Sequence, residues 1–148
     1  MCKKNKIITL RGKGIVGGKG EGNAIVVKRG LAICGIDGVT GKFGVRGELC
    51  KGFVPPELVG ECVKGKILVF SYGTGSSSGG STFYRTCKGG FAPAAMINNQ
   101  LEPVTASGAI VCHVPLVVGL DQDPCEVIET GDYVCVNGDK GIVEVIKH

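Results

Sequence analysis

Apolar positions in this chain fall in short runs separated by glycine. Residues 7–10 and 24–27 are brief β-branched or apolar stretches, and "RGKGIVGGKGEGN" between them is too rich in Gly for a helix. The segment reads as strand, turns, strand. Residues 31–36 form another strand candidate, followed by turn signals at Asp37-Gly38 and Thr40-Gly41. Residues 51–65, with Pro55-Pro56, read as a connecting loop. Residues 66–70 and 94–97 are compact apolar runs expected to be buried strands, with a turn at Asn98-Asn99. Residues 81–88 fit a helix whose Ser and Thr suit an N-cap and whose end is marked by Gly89-Gly90. One helical turn is expected at 104–107 and a strand over 109–118, interrupted by Pro115. A short helix is expected over 123–130, with Asp123 as N-cap and Pro124 at its first position. Residues 133–137 and 142–146 alternate around "GDKG" and predict a closing hairpin. The sum is a strand-rich α/β chain with two or three short helices after the midpoint and no internal repeat.

Composition sharpens that picture. With 148 residues, 43% hydrophobic and 20% charged, the chain has the make-up of one globular domain, residues 1–148, and not of a disordered one. The 26 glycines imply many turns. Net charge is +4, from 17 Lys and Arg against 13 Asp and Glu, and the basic residues are scattered. With no basic helix and few aromatics, no nucleic-acid partner is expected. No apolar stretch nears the ~20 residues of a membrane span, so no membrane partner is expected either.

The eight cysteines are Cys2, Cys34, Cys50, Cys62, Cys87, Cys112, Cys125 and Cys135, with no C-x-x-C among them. Several lie in apolar runs such as "IVCHV" and "YVCVN", where free buried thiols belong. No secretory signal opens the chain, which points to a reduced, cytoplasmic protein. The two histidines, His113 and His148, lie far apart, so no metal site of the chain's own is expected. His113 reads as a satisfied histidine beside a strand.

The chemistry concentrates in "YGTGSSSGGS", residues 72–81, where eight of ten positions are Gly or Ser. Its flanks both look like core, which argues against a linker. A P-loop needs a Lys after its glycines and none follows. Gly73, Gly75 and Gly80 miss the dinucleotide spacing, and "GKGEGN" lies near the wrong elements. Two readings stand. The stretch is a Ser-rich capping loop, or it presents a serine hydroxyl where unpaired N–H groups at a helix start favour negative charge.

The stretch "YGTGSSS" resembles the serine loop of the swivelling domain of the aconitase superfamily, and more closely that of the aconitase X small subunit. The resemblance continues through "GGFAPAAMIN", "EPVTASGAIV", "VPLVV" and "DPCEVIETGDYVCVNGDKGIVEV", and the opening "GKGIVGGKGEGNAIV" is similar as well. It implies a swivelling β/β/α domain with a barrel-like sheet. It implies a hydro-lyase that removes water from a small hydroxy acid, of the 5-phosphomevalonate or cis-3-hydroxy-L-proline class, together with a large catalytic subunit. That partner carries the iron or iron–sulfur centre, and this chain supplies the base, Ser76. Gly75, Ser77 and Ser78 are then expected around the substrate, and Gly73, Gly79 and Asn98 as support for the loop. Ser78 and Ser81 also read as caps, and Asn98 as a turn residue satisfying its own backbone. Thr74 and Val118 depart from the family pattern, which has a basic residue and Asp at those places. The competing reading is a non-catalytic binding or docking module of the same fold.

Overall fold

The computed structural model describes residues 6–33, 36, 40–43, 58–74 and 79–147, with backbone alone at 79–81. Its elements are β1 (Lys6–Arg11), β2 (Lys13–Val16), β3 (Lys19–Val27), β4 (Ile67–Phe70), α1 (Gly79–Lys88), β5 (Ala95–Asn98), α2 (Pro103–Cys112), β6 (Leu116–Val118), α3 (Pro124–Val127), β7 (Tyr133–Asn137) and β8 (Ile142–Lys147).

The strands join in the order β1-β8-β7-β3-β4-β5-β6-β2. The two edge strands, β1 and β2, are consecutive in the chain and separated only by Gly12. The sheet therefore curls into a half-barrel until its edges meet at that residue, whose N–H donates to Gly141 O at 2.8 Å. Glycine is required where backbones cross there. A Cβ on Gly14 would run into Gly138 O, and one on Gly138 into Val16 O.

The nine-residue β3 divides its pairing. Lys19–Asn23 lies antiparallel to β7, and Ala24–Val27 lies parallel to β4. Beyond it β4, β5 and β6 are all parallel, and α1 and α2 make the crossovers between them. Parallel strands with crossover helices are covered on both faces, which explains why every residue of β4 and β5 is buried. Alternate residues serve two cores. Ile67, Val69, Ala95 and Ile97 face the barrel interior with Val134, Val136, Val143 and Val145. Leu68, Phe70 and Met96 face Phe83 of α1 and Ala106 and Ala109 of α2. Burial of each large side chain in these layers contributes roughly 1.5–3 kcal/mol.

The strand-rich α/β half-barrel agrees with the expected class, the closing hairpin lies where the pattern puts it, and α3 starts after its Asp123 cap as expected but ends at Val127, short of residue 130. Several local expectations are corrected. The apolar run over 109–118 is not one strand, because residues to Cys112 complete a ten-residue α2 and only Leu116–Val118 extends. An apolar run has no period to separate a buried helix from a buried strand. Leu31 and Ile36 make isolated bridges and Ala32 and Ile33 do not extend as a strand, while residues 34–35 of that expected strand lie outside the described residues. The glycine-rich segment before Ala24 holds β2 and half of β3. His113 caps α2 in the left-handed region, φ 55°. Asn98 ends β5 and is not in a turn, and Ser81 sits two residues inside α1 rather than capping it.

Candidate active site

The carboxyl ends of β3, β4 and β5 and the amino ends of α1 and α2 converge on one rim, since each helix runs back along the strands it connects. In open α/β sheets this rim is where ligands bind. The Gly/Ser stretch leaves β4 here and ends in α1. Its residues Gly75, Ser76, Ser77 and Ser78 lie outside the described residues; Gly73, Thr74, Gly79 and Asn98 lie inside.

The approach to the stretch is held from both sides. On one side Ser71 N donates to Arg29 O (3.4 Å), Leu31 N to Tyr72 O (3.0 Å) and Thr74 N to Leu31 O (3.0 Å). Gly73 and Leu31 form a parallel bridge. On the other side Asn99 N and Gln100 N both donate to Ser71 O, at 3.0 and 3.1 Å. The Ser71 side chain turns to the barrel interior, its Oγ 3.7 Å from Cys125 Sγ. That thiol also donates to Val27 O at 3.6 Å. Burial pushes its pKa up, partly opposed by the Ser71 hydrogen bond.

Asn98 follows Met96 on the helix-bearing face and is fully buried. Its Nδ2 donates to Phe70 O at 3.2 Å and to Ile97 O at 3.0 Å. Its Oδ1 has no partner among the described residues. Gly73 is also buried. A Cβ there would collide with Glu102 Oε1 and Thr105 Oγ1, so the chain passes directly over the start of α2.

The two helix starts differ electrostatically. Glu102 is the N-cap of α2, its carboxylate accepting from Val104 N, Thr105 N (3.1 Å) and Thr105 Oγ1 (3.2 Å). The positive end of that helix is already neutralised. The first turn of α1 holds no acidic residue, and its last turn carries Arg85 and Lys88, which suit the negative end. Two cations, Lys28 and Arg29, stand in the bend after β3. Lys28 meets Glu126 at 3.8 Å with both side chains about two-thirds exposed, a pairing worth little.

Glu102 escaped the sequence reading because Glu is a poor N-cap residue. The signal is visible in hindsight: "EP" opens α2 as "DP" opens α3. Asp123 Oδ1 accepts from Cys125 N (2.9 Å) and Asn99 Nδ2 (3.0 Å), so the two caps flank the same bend. Among the described residues no three His, Cys, Asp or Glu side chains gather as a metal would need. One hollow, of about 590 Å³, is lined by Glu21, Cys135, Asn137 and Glu144 on β3, β7 and β8. Its walls include none of the rim residues, and burial together with Glu21 keeps its Cys135 thiol protonated. A second, of about 480 Å³, includes Lys28, Arg29, Cys125 and Glu126 and adjoins the rim.

Comparison with known proteins agrees with this geometry. Residues 9–145 match the family model of the aconitase X swivel domain. The chain is 40% identical to the phosphomevalonate dehydratase small subunit of Methanocella arvoryzae, over 92% of this chain and 98% of that one. It is 39% identical to the protein of the same name from Methanosarcina acetivorans, over 95% and 92%. The crystal structure of holo aconitase X from Thermococcus kodakaraensis superposes with a TM-score of 0.81 at 35% identity, covering 95% of this chain and 99% of that one. With the match spanning nearly every element from β1 to β8, the chain belongs to the aconitase X swivel-domain family.

Proposed function

We propose that this chain is the small subunit of a two-subunit hydro-lyase that dehydrates a phosphorylated hydroxy acid of the 5-phosphomevalonate type, with Ser76 as its base. The observation that carries the reading is the contrast between the two helix starts on one rim. The start of α2 is closed by the Glu102 carboxylate, whereas that of α1, which the Gly/Ser stretch runs into, has no acid in its first turn. An anion near the rim is therefore drawn to α1. Ser76 comes three residues before α1 in the sequence. The relatives at 40% and 39% identity bear the name phosphomevalonate dehydratase, which favours that substrate over cis-3-hydroxy-L-proline.

Dehydration breaks a C–H bond beside the substrate carboxylate and the C–O bond on the next carbon, forming the double bond between them. In this reading the Ser76 alkoxide takes the proton and becomes the neutral hydroxyl, and the C–H electron pair forms the double bond. The hydroxyl leaves as hydroxide, which the proton released when the alkoxide formed converts to water. A serine is a very weak base unless its alkoxide is stabilised, and oriented N–H donors, each worth roughly 3–4 kcal/mol when well placed, supply that. Gly75, Ser77 and Ser78 bind substrate. Gly73, Gly79 and Asn98 hold the loop, with Asn98 Oδ1 free to accept from it. The described residues do not fit an iron site, so no step is assigned to a metal on this chain. An iron centre on the large subunit supplies the Lewis acid for the leaving hydroxyl. Among the described residues the five cysteines, Cys62, Cys87, Cys112, Cys125 and Cys135, are free, which suits a cytoplasmic setting.

The test is reconstitution with a large aconitase X subunit and assay on 5-phosphomevalonate and cis-3-hydroxy-L-proline. The isolated chain should be inactive and the complex active. Ser76→Ala should remove roughly 10²–10⁴-fold of the rate, the usual range for a positioned base, without preventing assembly. Full turnover by Ser76→Ala would overturn the assignment. A chain that never pairs with a large subunit would favour a docking module.

A further inference from the structure

The cap of α2 is chemically unusual. Asp, Asn, Ser and Thr reach the N2 and N3 amides from the N-cap position without a further methylene, yet this helix uses Glu102. The longer side chain still closes the helix start, with Oε2 on Val104 N and Oε1 on Thr105 N and Thr105 Oγ1. Oε1 and the Thr105 Oγ1 both lie within clashing distance of where a Cβ on Gly73 would stand. Gly73 is clamped from its other side by the Leu31 bridge, and the next residue, Thr74, by the hydrogen bond to Leu31 O. The carboxylate and the Thr105 hydroxyl thus form a floor, and the chain lies on it three residues before the serines begin. Thr105 is itself buried, 1% exposed, so the floor does not shift with solvent.

We infer that Glu102 is a positioning residue for the serine loop: its carboxylate, locked on the start of α2, fixes the height of Gly73 and hence the placement of the serines that follow. This rests on the reading of Ser76 as the base. Misplacement of reacting groups by about 1 Å costs on the order of 10²-fold in rate, so a seat one methylene too low matters. The same seat accounts for glycine at 73, since any side chain would have to displace the floor.

Glu102→Asp separates this role from simple capping. Asp is the better N-cap, so thermal stability should be kept, but its carboxylate cannot reach the underside of Gly73. In the reconstituted complex, kcat for 5-phosphomevalonate should fall roughly 10-fold or more with KM changed less than about 3-fold. Glu102→Gln, which keeps the length, should restore most of the rate. Gly73→Ala should also lower kcat, and combining it with Glu102→Asp should cost less than the two losses multiplied, because the shorter acid makes room for the methyl. The amide resonances of Gly73 and Thr74 in the isolated chain give a second readout, independent of turnover. They should move in Glu102→Asp and stay near wild type in Glu102→Gln. Wild-type kcat and unmoved amides in Glu102→Asp would overturn the inference. Moved amides with full turnover even in Ser76→Ala would leave the seat intact and sink the base assignment instead. Equal loss of stability in the Asp and Gln variants would reduce Glu102 to a cap and refute the positioning role.

Discussion

Asn98 Nδ2 donates to the carbonyl of Phe70 at 3.2 Å, linking the last residues of two adjacent parallel strands through a side chain. The other end of the same amide, Oδ1, is buried with no partner among the described residues. A buried acceptor left unpaired costs about 1–3 kcal/mol, and such costs persist where function holds them in place. Asn98 sits where β4 turns into the Gly/Ser stretch, which is the place to expect one.

Replacement of Asn98 should separate size from charge. Asn98→Ala removes the bond to Phe70 O and should lower stability by about 1–3 kcal/mol. Asn98→Asp is nearly isosteric but buries a carboxyl whose folded pKa is raised by desolvation. Its protonated form is favoured in the fold, so the variant loses least below about pH 4 and its deficit grows as pH rises. Chemical denaturation at pH 4 and pH 7.5 checks this; a deficit independent of pH would show that the carboxyl is solvated.

Among the three consecutive serines, only Ser76→Ala should reduce kcat in the reconstituted complex to near background. Ser77→Ala and Ser78→Ala should act mainly on KM, by less than about 10-fold for the loss of one neutral hydrogen bond. Steady-state kinetics of the three variants decides this, and an equal kcat loss in all three would mean that the stretch acts only as a shaped loop.

Stability should fall in alkaline solution. Burial raises the Cys87 thiol far above its ordinary 9.0, assisted by Cys112 on the facing helix. Cys112, Cys125 and Cys135 are raised as well, burial being the first cause in each. Raised values favour the protonated fold, so this stability is complete below pH 9 and is lost as pH rises toward the folded values. Tm measured from pH 7.5 to 10.5 should decline above pH 9, and Cys87→Ala should flatten the decline. An unchanged slope in that variant would mean that the thiol does not ionise on unfolding. The same burial predicts slow alkylation of Cys87 and Cys112 at neutral pH, contrary to a redox-sensing use of these cysteines.

Closure of the half-barrel depends on backbone crossings at glycine. Gly14→Ala should destabilise the fold by more than about 1–3 kcal/mol, since the new Cβ meets the fixed carbonyl of Gly138 and not a movable side chain. Gly60→Ala tests the other kind of glycine, because its Cβ meets nothing within 4 Å. Its cost, from φ +90° alone, should be smaller. Thermal unfolding of the two variants checks the order.

Much of the domain could be read from the chain before any coordinates. The β-branched alternation of residues 133–147 specifies its hairpin because a strand with one face inside has a period of two. Asp123-Pro124 marks the start of α3 through local capping chemistry, and the apolar runs at β4 and β5 mark strands covered on both faces. The family-specific order of motifs pointed to the swivel domain. Local pattern failed where hydropathy was nearly uniform: residues 103–112 carry no charge, and apolar Ile110 and Val111 stand on the exposed side, so nothing in their sequence distinguishes helix from strand.

What the sequence by itself determined is therefore local: which segments extend, where helices are capped, and that a Gly/Ser stretch joins a buried strand to a helix. The tertiary structure alone decided which distant groups meet. It brings Glu102 beneath Gly73, Asn98 against Phe70 and Cys125 against Ser71, and among the described residues it sets a carboxylate on the start of α2 while the first turn of α1 holds no acid. Those relations depend on how β3, β4 and β5 align in a curled sheet. Register and curvature arise from packing summed over the whole chain, and no short window of residues contains them.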